Sequence, residues 1–207
     1  MGHYETHLTV ATGVDLERLR RWAEQRQIKY TRIVLDRGDQ PDQPMLTWRG
    51  GGTLDGELAT VREMRRNLQA EGFTVVRVKI EAAPFNDEVP ATSIEAAMVP
   101  AGYFEHHVKL VMAADAALTP IRELSRRHAA QLSRNARRVR ADGRRERFVT
   151  QRCHGVGRDE ARRALDELLT ALATENLDIA EVEEEFVLLD DNLAWDAGWF
   201  DESAQRG

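Results

Sequence analysis

The sequence predicts an α+β fold, an α/β sandwich in which two ferredoxin-like βαββαβ halves with antiparallel sheets follow one another in tandem. Three observations predict it. Alternating strands and amphipathic helices run through the order βαββαβ twice. An offset of one hundred aligns Glu5 with Glu105 and His7 with His107. A stretch from Pro84 to Pro100, containing Asn86, Asp87 and Pro90, reads as the linker between the runs. The halves fall at residues 1–90 and 91–207, the second ending in an acidic C-terminal tail.

Each element has its own signal. From His3 to Val10, Tyr4, Thr6, Leu8 and Val10 share one face while His3, Glu5, His7 and Thr9 share the other, the period of a half-buried strand. Asp15 opens a helix that puts Leu16, Leu19, Trp22 and Ala23 on one side. Tyr30–Leu35 and Met45–Trp48 are β-rich and separated by turn residues, and Arg49 to Thr53 reads as a loop. Leu58, Val61, Met64 and Leu68 mark a second helix with Gly72 placed to end it, and Val76, Val78 and Ile80 mark a last strand. In the second half Tyr103–Leu110 repeats the first strand, and Pro120 opens a helix with Ile121 and Leu124 inward. Residues 131–145 suggest an irregular or short strand, and Arg147–Arg152 a firmer one. Ala161, Ala164, Leu165, Leu168 and Leu172 give a strongly amphipathic helix, and Val182–Leu189 the closing strand.

Composition narrows the function classes. One cysteine in 207 residues excludes an internal disulfide framework and a cysteine-based zinc site. No window reaches the ~18–20 uninterrupted apolar residues of a membrane span, so no membrane partner is expected. The N-terminus lacks the apolar stretch of a signal peptide, so the cytoplasm is the expected compartment. The net charge of −6 is uneven: eleven arginines lie between Arg122 and Arg152, and nine acidic residues with no basic one lie between Glu181 and Glu202.

The leading chemical constellation is Glu5-x-His7-x-Thr9 with Glu105-x-His107-x-Lys109. Period-two spacing puts each trio on the sheet face away from the helices. If the two open faces meet across a pseudo-two-fold axis, two histidines and two glutamates converge. His7 and His107 are then the candidate catalytic pair, one on either side of a substrate. Glu5, Thr9, Arg77, Lys79, Glu105 and Lys109 are the candidate binding residues, and Arg77 and Lys109 favour an anionic ligand such as a phosphate ester. The same imidazoles and carboxylates suit a divalent metal, although no residue is assigned as a ligand. Cross-strand pairing is the plainer account: Glu5 has Arg77 and Lys79 nearby, and Lys109 has Glu181, Glu183 and Glu185.

Two family resemblances attach to these residues. His7-Leu8-Thr9-Val10 resembles the His-x-Thr-x motif of two-histidine phosphoesterases, which act on cyclic phosphates and RNA ends; the second copy, His107-Val108-Lys109-Leu110, has lysine for threonine. His7–Val10 with Asp15-Leu16-Glu17 is similar to the opening strand and helix of vicinal-oxygen-chelate proteins, whose metal ligands are His and Glu. That family's repeats are shorter and differently ordered.

Other features are weighed the same way. Gly50-Gly51-Gly52-Thr53 and Gly155-Val156-Gly157 precede helices and so suggest phosphate cradles, but neither is a P-loop or a dinucleotide fingerprint. Arg126, Arg127, Arg134, Arg137, Arg138, Arg140, Arg144, Arg145 and Arg147 would track a phosphate backbone, yet no aromatic run accompanies them to stack bases, so nucleic acid is not the expected partner. Trp195, Trp199 and Phe200 read as a tether for the tail, or as a contact in a homodimer. The function expected is small-molecule binding between the halves, of an anionic, phosphate-like ligand. The alternatives are a two-histidine phosphoesterase or a metal-dependent enzyme at the same cleft, and a non-catalytic scaffold. The sequence leaves the cofactor unknown.

Overall fold

A computed structural model describes residues 2–136 and 140–200. Its elements in order are β1 (Gly2–Val10), α1 (Leu16–Gln25), β2 (Lys29–Leu35), β3 (Asp42–Gly52), α2 (Leu54–Ala70), β4 (Val75–Ala82), α3 (Ser93–Ala96), β5 (Tyr103–Met112), α4 (Thr119–Arg127), β6 (Ala130–Asn135), β7 (Arg145–His154), α5 (Arg158–Thr174) and β8 (Asp178–Asp190). A 3-10 turn, Leu193–Asp196, follows. The chain is a mixed α+β protein with one eight-stranded antiparallel sheet and five helices among the described residues.

The sheet is a closed barrel in the order β1-β3-β2-β6-β7-β5-β8-β4. The expected separate sheets with open faces are therefore corrected to one ring. Two four-stranded runs, β4-β1-β3-β2 and β8-β5-β7-β6, meet edge to edge through β2–β6 and β4–β8. The physical reason is that a four-stranded sheet has two edges with unpaired N–H and C=O groups, and closure pairs them. All neighbours are antiparallel, so β1 and β5, five steps apart around the ring, run in opposite directions.

Helices cover the outside. Leu8, Val10, Val78 and Ile80 meet Leu19, Trp22, Val61 and Leu68 in one cluster; Val108, Leu110, Leu132 and Val149 meet Ile121, Leu124, Leu165, Leu168 and Leu172 in another. With the even positions of β1 committed to this core, its odd positions turn into the barrel. Helix starts follow the sequence signals: the Asp15 side chain accepts from Arg18 N at 2.9 Å, and the Thr53 hydroxyl accepts from Gly56 N at 3.2 Å.

One local expectation changes and three gain detail. Arg49 to Gly52 is not a loop, because Gly50, Gly51 and Gly52 pair with Tyr4, His3 and Gly2 and extend β3. The stretch 131–145 supplies β6 and the start of β7, while 137–139, with Arg137 and Arg138, lie outside the described residues. The linker carries α3, closed by a capping box of Thr92 and Glu95. Much of the acidic tail is strand β8 itself.

Candidate functional site

The ring encloses a polar lumen of about 360 Å³. Every site residue expected from the sequence lines it: His7, His107, Glu5, Thr9, Arg77, Lys79, Glu105 and Lys109. Alternation along β1, β4 and β5 delivers them, since each set is spaced by two and faces away from the helices.

Paired positions recur between the two runs of strands. In the first, Glu5 lies opposite Arg49 and His7 opposite Thr47; in the second, Glu105 lies opposite Arg152 and His107 opposite Thr150. Contacts follow the register. Arg49 Nε donates to Glu5 at 2.6 Å and Arg152 Nε to Glu105 at 2.7 Å. His7 Nδ1 is 2.8 Å from the Thr47 hydroxyl, and His107 Nδ1 is 3.1 Å from that of Thr150. The runs diverge on their last strands, where β4 contributes Arg77 and Lys79 and β8 contributes Glu181, Glu183 and Glu185.

Both imidazoles are held at both nitrogens. His7 Nε2 is 2.7 Å from Glu81 Oε2, and His107 Nε2 is 3.2 Å from Glu105 Oε1 and 3.9 Å from Glu185 Oε2. A carboxylate only accepts, so Nε2 carries the hydrogen and, in the neutral ring, Nδ1 accepts from the threonine. Between the histidines sits Lys79, whose ammonium is 2.6 Å from Glu81 and also contacts Glu105. A continuous chain thus links His7, Glu81, Lys79, Glu105 and His107.

Burial sets the electrostatics of this chain. It opposes charge on Lys79, but Glu105 and Glu81 outweigh it and hold the ammonium well above its ordinary range. Burial likewise opposes charge on Glu105, and Lys79 and Arg152 overcome it, so the carboxylate stays well below its ordinary value. Glu81 is depressed against its own burial, chiefly by Lys79 and then His7. Glu185 is the exception: burial first, then the adjacent Glu81 carboxylate, pushes it up to about 10, so it carries a proton at neutral pH.

The two ends of the lumen differ. At one, the Arg77 and Arg152 side chains are 5% and 3% exposed and both reach Asp196. Trp199, whose Nε1 donates to Leu132 O at 2.9 Å, also lines this cavity. Toward solvent, the Arg49 side chain is 77% exposed, Lys109 is paired with the half-exposed Glu181, and exposed Lys29 has no acidic partner among the described residues.

Glu81, Arg49, Arg152, Thr47, Thr150 and Asp196 were not singled out from sequence. Glu81 extends the period of Arg77 and Lys79 by one step beyond the expected strand end, a signal that was available. The expected pairing of Glu5 with Arg77 or Lys79 is replaced by Arg49, because Arg77 forms a bidentate pair with Asp190.

The glycine loops do not form phosphate cradles. Gly50 to Gly52 belong to a paired strand, and the amide of Gly157 is taken by the Glu160 carboxylate at 3.1 Å. In the arginine segment, Arg140 and Arg144 bind Asp142, and they also reach Glu146 and Asp178 respectively. Cys153 is partly buried, and burial pushes its thiol up to about 11, which leaves it unreactive at neutral pH. Among the described residues, no helix is long and apolar enough to cross a membrane. No family model and no curated protein matches this chain.

Proposed function

We propose that the chain is a small-molecule-binding protein, made by tandem duplication of a ferredoxin-like βαββαβ half, whose lumen takes a compact oxyanion such as a phosphate ester. One observation carries the ligand reading: Lys29, Arg49 and Lys109 reach a common polar lumen of about 360 Å³, within the ~300–1,000 Å³ range of ligand sites. The acidic partners of Arg49 and Lys109 are exchangeable. Each pair has one solvent-exposed member, Arg49 or Glu181, so an incoming dianion competes for Arg49 and Lys109 from the open side of the lumen. The buried pairs of Lys79 with Glu81 and Glu105 stay in place.

The recurrent Glu–Arg and His–Thr pairs, and two helices of 17 residues each at equivalent places, support the duplication. Binding is preferred over two-histidine catalysis because both nitrogens of His7 and of His107 are already engaged with protein groups. A general base must lie within hydrogen-bond reach of the substrate proton it takes, and here both rings turn their nitrogens to protein groups.

Titration calorimetry with inorganic phosphate and a panel of phosphate monoesters tests the reading. Saturable binding that weakens at least tenfold in Arg49→Met/Lys109→Met supports it; no binding by any of them refutes it. A divalent-cation site is a second reading, with one observation behind it. Ligand atoms of Glu81, Glu105 and His107 lie within 4.8 Å of one another. Lys79 already contacts both carboxylates, so a metal has to displace its ammonium. A rise in Tm with Mn²⁺ that is larger in Lys79→Met than in the parent chain supports this reading, and no rise in either refutes it.

A further inference from the structure

Asp196 belongs to the segment after the last strand, yet its carboxylate lies inside the lumen, 2% exposed. Oδ2 is 2.9 Å from Arg77 Nη1 and 2.6 Å from Arg152 Nη2, and Oδ1 accepts from Gln43 Nε2 at 2.9 Å. Donors from β4, β7 and β3 therefore converge on a single oxyanion. The two arginines do not depend on Asp196 for their positions, and the Gln43 amide also reaches Gln40 O at 3.4 Å. Arg77 is fixed by two bonds to Asp190, Arg152 is fixed by Glu105, and Gln43 is held within β3.

We propose that Arg77, Arg152 and Gln43 form a preorganised oxyanion subsite at the inner end of the lumen, with Asp196 as a tethered occupant that the carboxylate or phosphoryl group of a ligand replaces. The proposal rests on the lumen being a ligand site and adds a second anion position to it. The tether is local: Trp199 Nε1 on Leu132 O, Asp39 N on Ala197 O at 2.9 Å, and Phe200 4.3 Å from the Arg152 guanidinium. A tethered carboxylate competes at an effective concentration in the millimolar range or above. Small free anions therefore bind the parent chain poorly, while a ligand already anchored at Arg49 and Lys109 competes on equal terms.

The test is rescue by small anions. Asp196→Ala is titrated with sodium formate and, separately, with inorganic phosphate, each against sodium chloride at matched ionic strength, and Tm is followed. The expected result is a saturable rise of about 3–6 °C at ten times the dissociation constant, absent from the parent chain and from Arg77→Met/Asp196→Ala. Rescue by formate identifies a carboxylate subsite; rescue by phosphate identifies a phosphoryl subsite. Asp196→Asn, which keeps the shape and removes the charge, is carried through the same titrations in case the alanine variant fails to fold. If neither anion exceeds chloride in either variant, the subsite does not exist. Calorimetry at the Arg49 and Lys109 positions uses the intact tail, so that reading and this one fail separately.

Discussion

Lys79→Met is the most informative single change, because it removes one ammonium from between two buried carboxylates and keeps the side chain's length. Glu81 and Glu105 are each about 1% exposed, and Lys79 contacts both. Breaking a buried pair by removing one partner costs about 3–5 kcal/mol, because the charge left behind is neither hydrated nor matched. Arg152 still holds Glu105 and His7 still holds Glu81, so the lower end, about 3 kcal/mol, is expected. In a chain of this size that lowers Tm by roughly 6–12 °C. The effect has a direction in pH. In the parent chain both carboxylates are held below their ordinary values, so the stability they contribute is present above ~4.3 and is lost as pH falls further. Removing the ammonium takes away the largest charge effect that lowers both carboxylates, so both rise, and the variant's deficit is greatest at neutral and alkaline pH and shrinks as pH falls. Differential scanning calorimetry from pH 5 to 9 measures this. A Tm within 2 °C of the parent chain at pH 7.5, or a deficit equal at all pH values, would refute the charge-chain account of the lumen.

Two further changes probe other parts of the molecule. Glu185 binds a proton that the unfolded chain releases above ~4.3, so parent stability falls as pH rises from there toward about 10. Glu185→Gln mimics the protonated form and removes that decline; a thermal shift series should show the variant gaining on the parent between pH 7 and 9, and parallel curves would count against the raised value. Gly157→Ala probes the linker crossing. A Cβ there meets Ala91 O at 2.5 Å and Thr92 Cα at 2.6 Å, backbone that cannot step aside alone. Overpacking of this kind costs about 1–3 kcal/mol, readable as a shift in the urea midpoint, and an unchanged midpoint would mean that the linker yields freely.

The lumen residues were legible because alternation is a strong local signal. Glu5, His7 and Thr9 share a face whatever the rest of the chain does, and the hundred-residue offset carried the reading to Glu105, His107 and Lys109. Barrel closure was not legible. It depends on backbone groups of β2 and β6 and of β4 and β8 finding each other, and such pairing leaves no side-chain signature. Arg49 was hidden by the glycines after it, which suggest a loop and instead extend a strand against β1. Asp196 was hidden differently: an acid in an irregular tail gives no clue that it folds back between two arginines of distant strands. Of the three glutamates that seemed available to Lys109, Glu181 takes it, while Glu185 turns toward Glu81.

The ring is not equally strong all the way round. β5 and β7 share ten registered positions, whereas β2 and β6 share three, Ile33 with Asn135, Val34 with Arg134 and Leu35 with Ser133. A chain of links parts at the shortest, and four of these six side chains, Ile33, Leu35, Ser133 and Asn135, are lumen wall. Were the seam to part there, the lumen would open along its side, a route in for the proposed ligand that does not use the solvent-facing mouth. Amide hydrogen exchange would register such a clasp as early loss of protection at Val34 and Ser133, while Val108 and Val149, deep in the longest ladder, keep theirs.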